Sequence, residues 1–311
     1  MTLASLALGV LALLLAWPVP LALGRATWPA RSPATALILW QAIALAGGLS
    51  MLGALVTFGL APYGDDLVSA FVAFASGVEP AGTWHLLALG AAILLAAHLV
   101  LNLVVTVARS EAQRRRHAHL IELLSEPMFP GDPSSRIIYT PAPVAYCLPG
   151  ALSSVTVFSA GLVDLLEPEE LQAVIEHEKA HVAQRHDVVL VAFRAWHSSL
   201  PWFPIAYRAQ REVGVLIEML ADDRARRTVD DGVLARAITL VGSGPSTADA
   251  AAPGQLVESS SPHDLRARVL RIARARPLPT AAEALVVGAS AALIAVPTVL
   301  LLAPALLAAL A

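Results

Sequence analysis

A single cysteine, Cys147, and a single lysine, Lys179, occur among 311 residues, and only 14% of the chain is charged. One cysteine cannot form an intrachain disulfide framework, so Cys147 reads as a small core residue. The shortage of charge, against about 25% in an ordinary soluble domain, excludes a purely soluble protein. Apolar residues reach 57% and mean hydropathy is +0.66. No excess of basic charge exists either: a net charge of −3 and a pI near 6.3 supply no field for nucleic acid, so no direct nucleic-acid partner is expected. The 21 basic residues are all arginine except Lys179, a composition expected of a GC-rich bacterial genome and hence of a bacterial cell membrane.

Charge is absent from four stretches long enough to cross a bilayer, which takes about 20 apolar residues: Leu3 to Leu23, Ala34 to Leu60, Trp84 to Ala108 and Ala284 to Ala311. No basic residue precedes the first, so it reads as a retained span rather than a cleaved signal. Pro297 and Pro304 are expected to kink the last. Arg25 and Arg31 follow the first span, while the loop after the second carries Asp65, Asp66 and Glu79 and no base. Arginines also crowd after the third span (Arg109, Arg114, Arg115, Arg116) and before the fourth (Arg266, Arg268, Arg271, Arg274, Arg276). By the positive-inside rule residues 109–280 face the cytoplasm and both termini lie outside. The division expected is 1–108 as three spans, 109–280 as one polar domain, and 281–311 as a last span. His98 and Asn102, four apart within the third span, mark either a functional site or an interhelical hydrogen bond. The apolar run Leu67 to Val78 is too short to span and reads as interfacial or re-entrant.

Within the polar block, Arg109 to Leu124 reads as a helix leaving the membrane, Ser154 to Phe158 as the approach to and body of a short strand, and Glu167-Pro168-Glu169-Glu170 as a helix start, with Pro at the first turn and acids at the positive end of the dipole. The helix that follows contains His177-Glu178-Lys179-Ala180-His181. Residues four apart share a helical face, so His177 and His181 can offer ring nitrogens to one zinc ion with Glu178 beside it as base. A catalytic zinc takes a third protein ligand. Asp187 stands where the HExxHxxGxxH pattern has its third ligand, but Gln184 replaces the turning glycine. Glu218 is the better candidate, and Asp222, one turn later, is placed to hydrogen-bond the outer nitrogen of a ligand histidine.

The apolar stretch Val188 to Tyr207 resembles a fifth span, but a crossing would separate Glu218 from His177. It is expected to dip against the bilayer or pack under the site. Gly242 to Ser260, rich in Ser, Gly, Ala and Pro, reads as a loop, and Ser261 with Asp264 as a capped start of an Arg-rich helix whose charges anchor topology. The fold class expected is a multi-pass α-helical membrane protein with a mainly α-helical cytoplasmic gluzincin-type HExxH domain containing a short β element.

Together these features resemble the BlaR/MecR family of membrane zinc peptidases. The likeness rests on Gly161-Leu162, Pro168-Glu-Glu-Leu171, His177 to His181 with Arg185 and Asp187 behind it, and Glu218 to Asp222. It implies one zinc ion held by His177, His181 and Glu218, with Glu178 as catalytic base, and cleavage of a protein substrate such as a winged-helix repressor of the BlaI type. The antibiotic sensors carry an extracellular penicillin-binding domain after the last span, where this sequence stops. Lys179 has Glu176 where a Ser-x-x-Lys motif needs serine, so covalent sensing of β-lactams is excluded. Ala221 replaces a cysteine often found before the aspartate and resembles the HtpX and CAAX-protease family, which implies a processing or quality-control peptidase instead. A third reading, a membrane sensor with a structural metal site, leaves Glu178 without a purpose. A substrate strand is expected to add beside Ser154, Val155, Thr156, Val157 and Phe158. His186, His197, Tyr207 and His263 are candidates to stabilise the oxyanion, with a structural role as the alternative for each.

Overall fold

A computed structural model describes residues 1–77, 82–128, 135–148, 155–201, 204–243, 261–274 and 276–310. The architecture is mainly helical, with one small sheet. The first apolar segment is two helices, α1 (Thr2–Ala16) and α2 (Pro18–Arg25). The break falls at Trp17, whose ψ of −74° accompanies a φ of −132°, because Pro18 has no N–H to continue the ladder and crowds the residue before it. A 3₁₀ turn (Trp28–Arg31) leads into α3 (Pro33–Leu60), which starts with proline at its first turn. Helix α4 (Leu67–Ala75) is the short apolar run, capped by the Asp66 carboxylate, which accepts from the amides of Val68 and Ser69.

Helix α5 (Thr83–Leu124) is one uninterrupted rod of 42 residues, roughly 63 Å long at 1.5 Å per residue. It contains both the apolar span and its arginine-bearing extension, as the sequence predicts. At the other end of the chain α12 (Thr280–Leu310) runs through Pro297 and Pro304 unbroken. These long apolar helices, four counting α1 with α2, are consistent with a membrane protein. They pack closely: a Cβ on Gly59 of α3 would meet the Leu89 side chain at 2.5 Å and the His85 carbonyl at 3.0 Å. Only hydrogen at that position lets α3 and α5 approach.

The sheet has the order β1-β2-β4-β3, from β1 (Glu126–Pro127), β2 (Ser135–Ile138), β3 (Ala145–Leu148) and β4 (Val155–Ser159). Strand β4 lies parallel to β2, with Arg136 opposite Val157, and antiparallel to β3, with Ala145 opposite Phe158. Helix α6 (Ala160–Leu165) leaves β4 directly, capped by Ser159. A Cβ on Gly161 would stand 2.1 Å from the Pro141 carbonyl oxygen, so this turn admits only glycine. Two expectations change here. The Pro-rich stretch from Pro127 to Pro149 holds two further strands, and β4 is an interior strand paired on both sides. A substrate strand therefore cannot add beside Val155, Thr156, Val157 or Phe158, whose backbone partners are already in place; Ser154 lies outside the described residues.

Helices α7 (Pro168–Ala183), α8 (His186–Ser199), α9 (Pro204–Ala225), α10 (Asp231–Gly242) and α11 (Pro262–Arg274) complete the polar block. The entry to α7 is better capped than its sequence suggests, since the Glu167 amide donates to Glu170 Oε2 at 3.0 Å. Most of Gly242 to Ser260 lies outside the described residues; Ser261 caps α11, its Oγ accepting from the Asp264 amide at 3.2 Å. Two cores result. One joins Leu15, Trp40 and Ile43 of α1 and α3 to Leu190, Phe193, Val213 and Ile217 of α8 and α9. The other packs Phe158, Leu162, Ala173 and Val174 against Leu234, Ile238 and Ile272. The apolar stretch after Asp187 is thus a helix, a corner and the start of the next helix, packed against α3 and α5.

Candidate metal centre

Helices α7 and α9 pack side by side and bring two pairs of residues, each four apart in sequence, face to face. His177 Nε2 and His181 Nε2 are 3.2 Å apart. Glu218 Oε2 lies 3.4 Å from the first and Oε1 3.5 Å from the second. These three side chains offer ligand atoms within 4.8 Å of one another. Asp187, the other candidate for a third ligand, is exposed and points instead towards Arg114, 3.9 Å away.

The outer nitrogens of both histidines are held by the chain. His177 Nδ1 stands 3.0 Å from Asp222 Oδ1, within ion-pair distance. His181 Nδ1 faces His186 Nδ1 at 3.1 Å, and His186 Nε2 lies 2.8 Å from Gln184 Oε1. An amide oxygen only accepts, so the His186 Nε2–H donates to Gln184. The His186 Nδ1 lone pair then accepts from His181 Nδ1–H. Neutral His181 is left with its Nε2 lone pair turned towards His177 Nε2 and Glu218. The sharp corner that returns His186 to His181 is made at Arg185, the one described non-glycine residue with positive φ, at 51°.

Charge around the cluster is arranged in the same sense. Burial alone would push His177 down, but the Asp222 and Glu218 carboxylates, which accept from its ring and carry negative charge, raise it to about 10. Burial pushes His181 down to about 4, offset only in part by Glu218, and pushes His186 down to about 4 as well. Glu218 is driven well below the ordinary carboxylate range, the Arg268 charge and the histidines outweighing its burial. Arg268 is the residue sequence reasoning missed. Rather than anchoring topology, its guanidinium is 7% exposed and forks onto Asp222, Nε to Oδ2 at 2.9 Å and Nη2 to Oδ1 at 2.7 Å. Its Nη1 reaches Glu218 Oε2 at 3.0 Å. Arg271, one turn on, ties α11 to Asp223 at 2.5 Å.

The donors fit a divalent cation. Two imidazole nitrogens and a carboxylate converge as a group that could hold a metal ion, a donor set of the kind zinc accepts. Two ring nitrogens 3.2 Å apart would repel if both presented lone pairs, and the upward push of the Asp222 and Glu218 carboxylates on His177 favours its charged form in the metal-free chain. Glu178 sits beside His177 on α7, half-buried, and its charge is felt by Arg268. Of the other polar candidates, His197 lies against Tyr207 with tilted rings whose centroids are 5.7 Å apart and His263 is exposed at the start of α11; none of the three is in the cluster.

No curated protein and no solved structure matches this chain significantly. Residues 110–222, from the extension of α5 through both halves of the cluster to Asp222, match the model of Peptidase family M48, which supports a membrane-associated metallopeptidase.

Proposed function

We propose that the chain is an integral-membrane zinc endopeptidase whose residues 109–280 work at the cytoplasmic face, and that its substrate is a cytoplasmic repressor of the BlaI type, cleaved in response to an envelope signal. The observation that carries the peptidase reading is the convergence of His177, His181 and Glu218 with both histidines oriented from behind by Asp222 and by His186. A zinc ion bound there polarises a peptide carbonyl and lowers the pKa of its water to about 7. Glu178 is the group that takes the proton from the attacking water and delivers it to the leaving amine. Strand β3 packs against α7 and, among the described residues, pairs with β4 on one side only. Its outer edge replaces β4 as the place where an extended substrate backbone adds.

The orientation is supported by contacts between the first loop and the polar block. Arg31 Nε donates to the Arg276 carbonyl at 3.0 Å, Arg271 Nε to the Ala30 carbonyl at 2.6 Å, and Ser32 Oγ to Glu283 at 2.6 Å. The loop bearing Arg25 and Arg31 therefore shares a face with the metal cluster. A second reading, a processing or quality-control peptidase of the HtpX and CAAX-protease kind, is favoured by Ala221 before Asp222 and by the packing of α8 along the apolar part of α5.

Co-expression of the wild type and Glu178→Gln with a candidate repressor tests both layers. The expected result is about one zinc per chain in both proteins and repressor cleavage in the wild type alone. Zinc in both with a membrane protein cleaved and the repressor untouched moves the substrate to the second reading. Zinc in neither overturns the mechanism.

A further inference from the structure

Helix α8 descends beside the apolar part of α5. Along α8, Asp187 faces Arg114, Arg194 Nη1 donates to Ser110 Oγ at 3.4 Å, and Ser198 Oγ lies 3.5 Å from Thr106. At its end Asn102 Nδ2 donates to the Ala195 carbonyl at 2.7 Å and to Ser199 Oγ at 2.7 Å, and His98 Nε2 meets the Ser199 carbonyl at 3.0 Å. The partners step back through α5 as the chain advances through α8, so the two helices are antiparallel and the far end of α8 lies within the span. Trp196 confirms the depth from the other side: a Cβ on Gly48, near the middle of α3, would touch its ring at 3.5 Å. His98 and Asn102 thus serve as the polar contacts that hold α8 at this level.

At that depth α1, α2, α3, α8 and α9 line a partly open cavity of about 220 Å³, whose apolar side chains include Leu15, Trp40, Phe193, Trp196 and Ala209, with the bare backbone of Gly47 on one wall. Water has no partners in such a lining, and engineered apolar cavities of about 150 Å³ stay dry and take up hydrocarbon. A transmembrane helix, ~10 Å across with its side chains, does not fit. A single hydrocarbon chain does, and the medium around the spans supplies it.

We propose that this cavity is a binding site for one acyl chain of a bilayer phospholipid, seated between the membrane helices and the α8–α9 pair of the metal-bearing half. The inference rests on the membrane reading of the four apolar segments. The occupant packs on α9, the helix that carries Glu218, and so joins the lipid phase to the wall of the catalytic half.

Two single-tryptophan chains test this, one keeping Trp17 and one Trp40, with the other tryptophans changed to Phe. Each is reconstituted at full length into nanodiscs whose phosphatidylcholine carries plain or mid-chain-brominated acyl chains. Bromine quenches tryptophan at short range. Trp17 is 61% exposed on the outer surface and Trp40 only 2%, each roughly two helical turns from the arginine-bearing end of its segment. Quenching of both is expected, with the Trp40 loss reduced severalfold by Gly47→Phe, where the new Cβ meets only Leu15 at 3.7 Å. Ala44→Phe fills the same space from the next turn and keeps the test informative if the first variant misfolds. Quenched Trp17 with unquenched Trp40, or Trp40 quenching that neither filling substitution alters, overturns the acyl-chain site. Unquenched Trp17 overturns the membrane reading on which it rests.

Discussion

Each histidine of the cluster is held at the ring nitrogen facing away from the metal position, His177 by an acid and His181 by a neutral relay through His186 to Gln184. Outer partners of this kind are worth about 10–100-fold in metal affinity. His186→Leu removes the acceptor for His181 Nδ1–H and frees the ring to adopt the other tautomer; His186→Asn keeps an oxygen near the same place. Zinc affinity measured by competition with a chelator is expected to fall by 10–100-fold in the leucine variant and to be largely restored in the asparagine variant. Equal losses would show that His186 only fills space. A second consequence concerns protons. His177 is raised to about 10 in the metal-free chain, so at neutral pH it is charged, and ligation must displace that proton. Apparent zinc affinity should therefore rise with pH from 6 to 9, with about one proton released per metal, read by calorimetry in buffers of different ionisation enthalpy. Uptake without proton release would contradict the charged His177. His177, His181, Glu218 and Asp222 were legible because both pairs keep helical i, i+4 spacing; the grouping of His177, His181 and Glu218 is observed. His186 was legible only as a polar candidate; its place behind His181 depends on the left-handed corner at Arg185, which no local pattern announces.

At the scale of elements, α11 shows how a charge can be misread. Leu265, Arg268, Val269 and Ile272 recur at the spacing of one buried helical stripe, and an arginine within such a stripe needs a buried acid. Counting arginines as topological anchors overlooked this signal. The Arg268 fork holds α11 against α9 through two carboxylates that are themselves buried, Asp222 at 0% and Glu218 at 8% exposure. Arg268→Met leaves both acids without their cation, and removing one partner of a buried ion pair costs about 3–5 kcal/mol. Thermal unfolding of the metal-free protein should show this as a lower midpoint. The sign with pH follows from the acids: Asp222 and Glu218 lie below their ordinary values, so the stability that Arg268 gives them is full above about pH 4 and is lost progressively as pH falls from there towards their folded values. The deficit of Arg268→Met should thus shrink in acid, and a deficit unchanged at pH 3 would assign the loss to packing alone. The small sheet was half legible. β4 has strand composition after a turn signal, whereas β2 and β3 are only four residues each in a proline-rich stretch, and pairing with β4 rather than local propensity decides them.

For the whole molecule, the four long apolar helices were readable from length and lack of charge, and the shared core of α1, α3, α8 and α9 was not, since it joins segments far apart in the chain. That core and the contacts of Arg31, Arg271 and Ser32 place the first loop and the metal cluster at one end of the bundle, while α4 packs on α3 and α12 beyond the far end of α3. One orientation then fixes every loop. With the arginines inside, Ser76, exposed just after α4, faces out, and Glu169, exposed at the start of α7, faces in. In a Cys147→Ser background, Ser76→Cys should react with a membrane-impermeant maleimide on intact cells, and Glu169→Cys should react only after lysis. Since the two positions lie at opposite ends of the bundle, the reverse pattern would turn the whole molecule over and put the peptidase site outside. A repressor substrate would then be untenable, with the metal chemistry left intact, so labelling separates the question of which compartment the enzyme serves from the question of how it cuts.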